Sequence, residues 1–362
     1  MSQVDQSVTG TPTQPKKKWF VAAAVLLAVL AIGYGGVKAY SERKAGAGDQ
    51  ATLAPGTQSG KSPVTDSTTS TDTASYNRKL KLISNGDSTG RWPVMHAAYP
   101  KAGALLPFNR IVAFYGNLYS KNMGILGELP RQQMLDKLQQ EVKVWEAADP
   151  ATPVIPALHY IAVTAQGSPG KGGKYRLRMP FHQIDSVLSM ARQINALVFL
   201  DVQVGLSTLQ EEIPLLDPYL KLPNVHLGID PEFSMKGGQA PGKVIGTFDA
   251  ADINYAASHL AQLVRENNLP PKILIVHRFT QAMVTNYRQI KTLPETQVVM
   301  DMDGWGIPAK KLTTYKQFIY REPVQFTGFK LFYKNDLRDK SRMLTPQEVL
   351  RQTPQPLYIQ YQ

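Results

Sequence analysis

Cysteine is absent from the 362 residues. That excludes a disulfide scaffold, a cysteine-ligated zinc or iron–sulfur site and a thiol nucleophile. No Gly-x-Gly-x-x-Gly follows the first apolar run, and Gly-x-x-x-x-Gly-Lys-Ser/Thr does not occur. Dinucleotide and P-loop phosphate sites are therefore not expected, and no cofactor is. Lys and Arg outnumber Asp and Glu by 40 to 28, yet no basic run exceeds Lys16-Lys17-Lys18. Scattered basic residues mark general surface chemistry and give no nucleic-acid footprint. With 43% hydrophobic residues the chain is too apolar to be disordered throughout.

Only one uncharged stretch is long enough to cross a bilayer. It runs from Trp19 to Val37 after the basic triplet, and about 20 apolar residues span a hydrocarbon core. Trp19 and Tyr34 sit near its ends, where amphipathic rings favour the interface. The expected organisation is a cytoplasmic tail (1–18), a transmembrane signal anchor (19–37) and a flexible linker rich in Ser, Thr, Gly and Ala (38–78). A folded domain (79–362) then lies outside the cytoplasm, on a single-pass protein of the cell membrane. The alternative is secretion after signal cleavage near Val37-Lys38-Ala39.

Beyond the linker, short apolar runs alternate with helical patterning. The runs lie at 110–117, 154–160, 196–203, 225–232, 272–278, 297–303, 326–333 and 356–361. Helical stripes are expected at 131–147, 181–194, 250–267 and 280–291, with Asp249 and Thr280 as N-caps of the last two. Alternation of this kind implies parallel strands with crossover helices. About eight units in roughly 250 residues point to an α/β fold, a (β/α)8 TIM barrel.

In such a barrel reactive groups gather at the C-terminal strand ends. Those ends carry Tyr115 and Asn117, His159 and Tyr160, Asp201 and Gln203, Asp230 and Glu232, His277 and Arg278. They continue with Asp301 and Asp303 ahead of Trp305, then Tyr333, then Gln360 and Tyr361. Strand residues i and i+2 share a face, so each acidic pair should point toward the barrel axis. Converging carboxylates raise one another's proton affinity, and a carboxyl held protonated near neutral pH suits a general acid. Glu232, Asp230, Asp301 and Asp303 are therefore the catalytic candidates. Tyr115, Asn117, His159, Asp201, Gln203, His277, Arg278, Trp305, Tyr333 and Gln360 are candidate substrate contacts. The structural alternative is a buried network pairing the acids with His277, Arg278 and Lys330. Glycine-rich stretches at 166–174 and 236–243 read as mobile loops after the second and fourth strands.

Leu227-Gly-Ile-Asp-Pro-Glu-Phe233 resembles the fourth-strand Asp-x-Glu ending of family 18 chitinases and family 25 lysozymes. The resemblance implies a glycoside-hydrolase-like barrel acting on a carbohydrate polymer, with Glu232 as acid/base and Asp230 as its substrate-orienting partner. The longer acidic run of the chitinases is replaced here by His226, Leu227 and Gly228. Two other functions fit the same strand ends. One is divalent-metal hydrolysis through Asp201, Asp230, Glu232, His277 and Asp301. The other is a non-catalytic glycan-binding or scaffold barrel.

Overall fold

A computed structural model describes residues 72–362. The expected tail, the anchor at 19–37 and nearly all of the linker lie outside the described residues. Among the described residues no helix is long and apolar enough to cross a membrane.

Eight parallel strands form the frame: β1 (Arg110–Gly116), β2 (Val154–Ala165), β3 (Leu197–Val202), β4 (Val225–Ile229), β5 (Lys272–Arg278), β6 (Thr296–Met302), β7 (Phe326–Leu331) and β8 (Tyr358–Tyr361). Each pairs with its neighbours in chain order, and β1 pairs with both β2 and β8. The sheet closes on itself, as in a (β/α)8 barrel.

Strand alternation divides the core into two layers. Odd positions of β1, such as Ile111 and Ala113, join Ala157, Phe199, Ile275, Val299 and Tyr358 inside the barrel. Even positions such as Val112 and Phe114 pack outward against helices. Helix α2 (Arg131–Ala148) buries Met134, Leu135, Leu138 and Trp145 there. Helix α3 (Phe181–Gln193) buries Ile184, Val187, Leu188 and Ala191. A capping box starts α4 (Ala250–Glu266), with Asp249 and Asp252 exchanging side-chain and backbone bonds.

Two departures from the sequence reading concern local structure. The segment 280–291 is not a helix. It holds two 3-10 turns, Gln281–Met283 and Tyr287–Gln289, flanking the two-residue strand Val284–Thr285. The guanidinium of Arg278 takes the carbonyls of Thr280, Gln281 and Val284 at 3.2, 3.0 and 3.3 Å. Those carbonyls would otherwise accept α-helical bonds. Asn286 adds a left-handed φ of 55°, and Thr280 makes no side-chain cap. The second departure is helix α1 (Thr73–Ile83), which starts inside the stretch expected as linker. Asp72 caps it through Ala74 and Ser75, and its Tyr76 and Ile83 join the interior cluster beside Leu106 and Ile111. It therefore closes the N-terminal end of the barrel and leaves the C-terminal mouth free.

Candidate active site

The inward face of the strands changes chemistry one layer above Ala113, Phe199 and Ile275. Tyr115, His159, Asp201, His277 and Asp301 follow at those inward positions. Strand register puts Tyr115 opposite His159 and His277 opposite Asp301. Asp201 is the hub: its Oδ1 lies 3.3 Å from His159 Nε2 and 3.4 Å from His277 Nε2. Its Oδ2 accepts from the Tyr115 hydroxyl at 3.0 Å. On the other side of its ring, His277 Nδ1 stands 3.3 Å from both Asp301 Oδ2 and Asp303 Oδ2. Lys330 completes the ring of charge, 2.9 Å from Asp303 Oδ1 and 3.9 Å above the Tyr115 ring.

Glycine makes this approach possible at two inward positions. A Cβ on Gly228 would stand 2.5 Å from Asp201 Oδ1 and closer still to His159 Nε2. A Cβ on Gly328 would stand 2.5 Å from Asp301 Oδ1. Each missing side chain leaves its volume to a polar contact from a neighbouring strand.

Asp230 and Glu232 meet by a different route from the strand alternation anticipated for them. Strand β4 ends at Ile229, and Asp230 caps the 3-10 turn Pro231–Phe233 by accepting from the Glu232 N–H at 3.0 Å. The Glu232 carbonyl accepts from the Gly246 N–H at 2.7 Å. The turn, rather than the pleat, fixes the relation between the two acids. Gln203 ties this upper tier to the lower one, donating to Tyr115 Oη at 3.2 Å and Asp230 Oδ2 at 3.4 Å.

Enclosure decides which acids stay charged. Burial opposes ionisation of Asp201, but the charge of His277 and contacts from both histidines hold its carboxyl well below the usual range. Burial likewise works against a proton on His277, and Asp201, Asp301 and Asp303 overcome it, so its affinity is raised well above normal. Burial pushes His159 down to about 4, leaving it neutral at physiological pH. Asp301 is raised, chiefly by desolvation. Asp230 is pushed up to about 7, first by burial and then by Asp201 and Asp303, against the pull of His277 and Lys330. Glu232 rises to about 8 through burial and the charges of Asp230 and Asp303. Asp201 and Asp301 are fully enclosed, whereas Glu232 is partly exposed. The Glu232 carboxyl has no hydrogen bond or ion pair within the described residues.

The remaining candidates divide by strand parity. Gln360 points inward, with its Nε2 3.0 Å from His159 Nδ1 and 2.8 Å from Tyr358 Oη. Asn117 is buried at the turn after β1, donating to the Ile161 carbonyl and accepting from Tyr119 N–H. Arg278 points outward and pairs with Glu322 at 2.6 Å. Tyr333 also lies outside the barrel, stacked on Tyr361 and donating to Glu141 at 2.7 Å. Trp305 is half-buried beyond β6, with Lys310 and Arg338 each about 5 Å over its ring. Two residues of the cluster were not among the candidates. In the sequence Lys330 stands only as an ion-pair partner for the acids, and Tyr358 only within the apolar run 356–361. Parity could have found both, since Gly328 and Lys330, like Tyr358 and Gln360, are i, i+2 pairs.

The glycine-rich stretch after β2 belongs to a hairpin. Arg176–Arg178 returns antiparallel to β2, and both arginines grip the buried Glu212 at 2.7 and 2.6 Å. A cleft of about 820 Å³ lies elsewhere, between 281–289 and 317–322 on the outer flank of β5. Its Glu322 is already neutralised by Arg278, so the open volume there carries no reactive cluster.

No protein-family model and no curated protein matches the chain. Similar solved structures include a mutant form of Cel5A from Thermotoga maritima in complex with cellobiose, at 10% identity over 70% of this chain and 88% of that one, with a TM-score of 0.38. A ruminal GH26 endo-β-1,4-mannanase is 10% identical over 70% of this chain and 58% of that one, with a TM-score of 0.33. Dihydropteroate synthase of Burkholderia cenocepacia with 7,8-dihydropteroate is 10% identical over 71% and 86%, also at 0.33. These proteins include glycoside hydrolases and an enzyme of different chemistry. The barrel assignment itself rests on the closed sheet of this chain.

Proposed function

We propose that the domain hydrolyses a glycosidic bond at the C-terminal mouth of the barrel, with Glu232 as proton donor. The observation that carries this reading is the state of Glu232. It is a partly exposed carboxyl with no hydrogen-bonded or ion-paired partner among the described residues, set against Asp230 and Asp303. Crowding and enclosure keep its proton on at neutral pH, which a general acid requires. Asp303 faces the same charges and is held by Lys330. It is the carboxylate suited to stabilise or attack the developing oxocarbenium centre. Asp301 is enclosed beneath it and acts through His277, while Asp230 fixes the donor by accepting the Glu232 N–H. Tyr115 and Gln203 hold the tiers together.

The substrate we assign is a polysaccharide of the envelope or extracellular space, and the location a membrane-tethered domain outside the cytoplasm. The uncharged stretch 19–37 behind a basic triplet supports the tether. Incubating the protein with a panel of envelope and extracellular polysaccharides tests the assignment. New reducing ends should appear with wild type and fall by about 10²–10⁴-fold in Glu232→Gln, while binding persists. Binding without turnover in both proteins would instead identify a glycan-binding barrel.

A further inference from the structure

Beneath the acid pair, three donor atoms converge with no hydrogen-bonded partner. His159 Nε2, Asp201 Oδ1 and His277 Nε2 are each fully buried and without a hydrogen bond among the described residues. The histidine-to-Asp201 separations of 3.3 and 3.4 Å fall short of hydrogen-bond geometry. All three donors lie within 4.8 Å of one another. We propose that they bind one divalent transition-metal ion of the zinc class, as a structural ion in the barrel interior.

Three observations support this. First, ligands about 2.0–2.1 Å from a tetrahedral ion stand about 3.3–3.4 Å apart, which is the spacing from Asp201 to each imidazole. Second, the far sides of His159 and Asp201 are hydrogen-bonded, and that of His277 faces carboxylates. His159 Nδ1 lies 2.6 Å from the Tyr358 hydroxyl, and His277 Nδ1 faces Asp301 and Asp303 at 3.3 Å. Asp201 Oδ2 accepts from Tyr115 at 3.0 Å. Carboxylate or hydroxyl partners behind ligating imidazoles are the usual outer support of a metal site. Third, glycine at position 228 keeps its face of the cluster free of side-chain atoms. Two imidazoles and one carboxylate suit zinc or iron(II) better than magnesium or calcium, which favour all-oxygen sets.

This differs from a hydrolytic metal shared with Asp230 and Glu232. Those acids belong to the upper tier, and the three donors below are sealed from solvent. The ion would tie β2, β3 and β5 together.

The test is metal uptake by the full chain purified in detergent, which does not depend on activity. After chelation, titration with Zn²⁺ should show one tight equivalent and raise the unfolding temperature. Co²⁺ should give the visible absorption of a four-coordinate site, with an enclosed water as the fourth ligand beside the three side chains. His159→Gln should abolish tight uptake while circular dichroism stays native. Tyr358→Phe, which removes the hydroxyl behind His159 Nδ1 and leaves Gln360 beside it, should weaken uptake by about tenfold. Glu232→Gln should leave the stoichiometry unchanged, so this inference and the hydrolase reading fail separately. No Zn²⁺ uptake by wild type, with an unfolding temperature unmoved by zinc or chelator, would show that the cluster is an ion-pair network alone. Uptake unaffected by His159→Gln would place the metal elsewhere and overturn the assignment.

Discussion

The backbone N–H of Glu232 donates to the carboxylate of Asp230 at 3.0 Å, across a single proline. This bond orients two acids at one lip of the barrel and gives Asp230 a role that does not depend on substrate. It also places each acid in the field of the other, so their protons are coupled.

The first expectation concerns pH. With Glu232 at about 8 in the folded protein, hydrolysis should hold through neutrality and fall as pH rises past about 8, when the donor loses its proton. A pH–rate profile of kcat/KM checks this. The same shift predicts the sign of a stability effect. The folded state holds the Glu232 proton more tightly than an unfolded carboxyl near 4.5 does, so stability is highest below that value. It declines between there and about 8, then levels off. Each pH unit in that window costs about 1.4 kcal/mol at most. Glu232→Gln should therefore raise the unfolding midpoint, more at pH 8 than at pH 5, in denaturant titrations at both values.

Lys330 carries the second expectation. Its ammonium is buried against Asp303 and the Tyr115 ring. Lys330→Met keeps the bulk but leaves the Asp303 carboxylate without its lysine partner, with His277 alone beside it. Breaking one half of a buried pair costs about 3–5 kcal/mol. Chemical denaturation should show a loss of that order, with part of it recovered in Lys330→Met/Asp303→Asn. A double-mutant sum with no recovery would mean the two groups do not interact.

Gly228 carries the third. A methyl group there would overlap Asp201 Oδ1 and His159 Nε2, both set on strands that cannot recede. Overpacking of this kind costs about 1–3 kcal/mol. Gly228→Ala should lower the unfolding midpoint accordingly and displace the His159 ring. The histidine C–H resonances in an NMR spectrum would report that displacement, and unchanged resonances would count against the close packing described.

Much of the barrel was legible because period-2 parity is local. Alternation alone places Asp201, His277 and Asp301 inside and Val202, Val276 and Met302 outside. The same rule places Arg278 and Tyr333 outside, and grouping them by strand end alone overlooked it. What parity could not supply came from tertiary capture. The stripe at 280–291 looked helical, yet the Arg278 guanidinium, fixed by Glu322, removes the carbonyls a helix needs. Asp230 and Glu232 do gather at the mouth, but through a capped turn that only the order Asp-Pro-Glu hints at. The helix Thr73–Ile83 was hidden by its polar, Ser- and Thr-rich surroundings, although Tyr76, Leu80 and Ile83 follow a helical spacing.

The role of Glu232 is tested most directly by varying the leaving group. Hydrolysis of aryl glycosides should be compared for wild type and Glu232→Gln, with one aglycone that departs only when protonated and one, such as 2,4-dinitrophenol, that departs unaided. With Glu232 as proton donor, the variant should lose the first reaction by orders of magnitude and keep most of the second. Equal loss on both, or no cleavage of any glycoside by the wild type, would contradict that role.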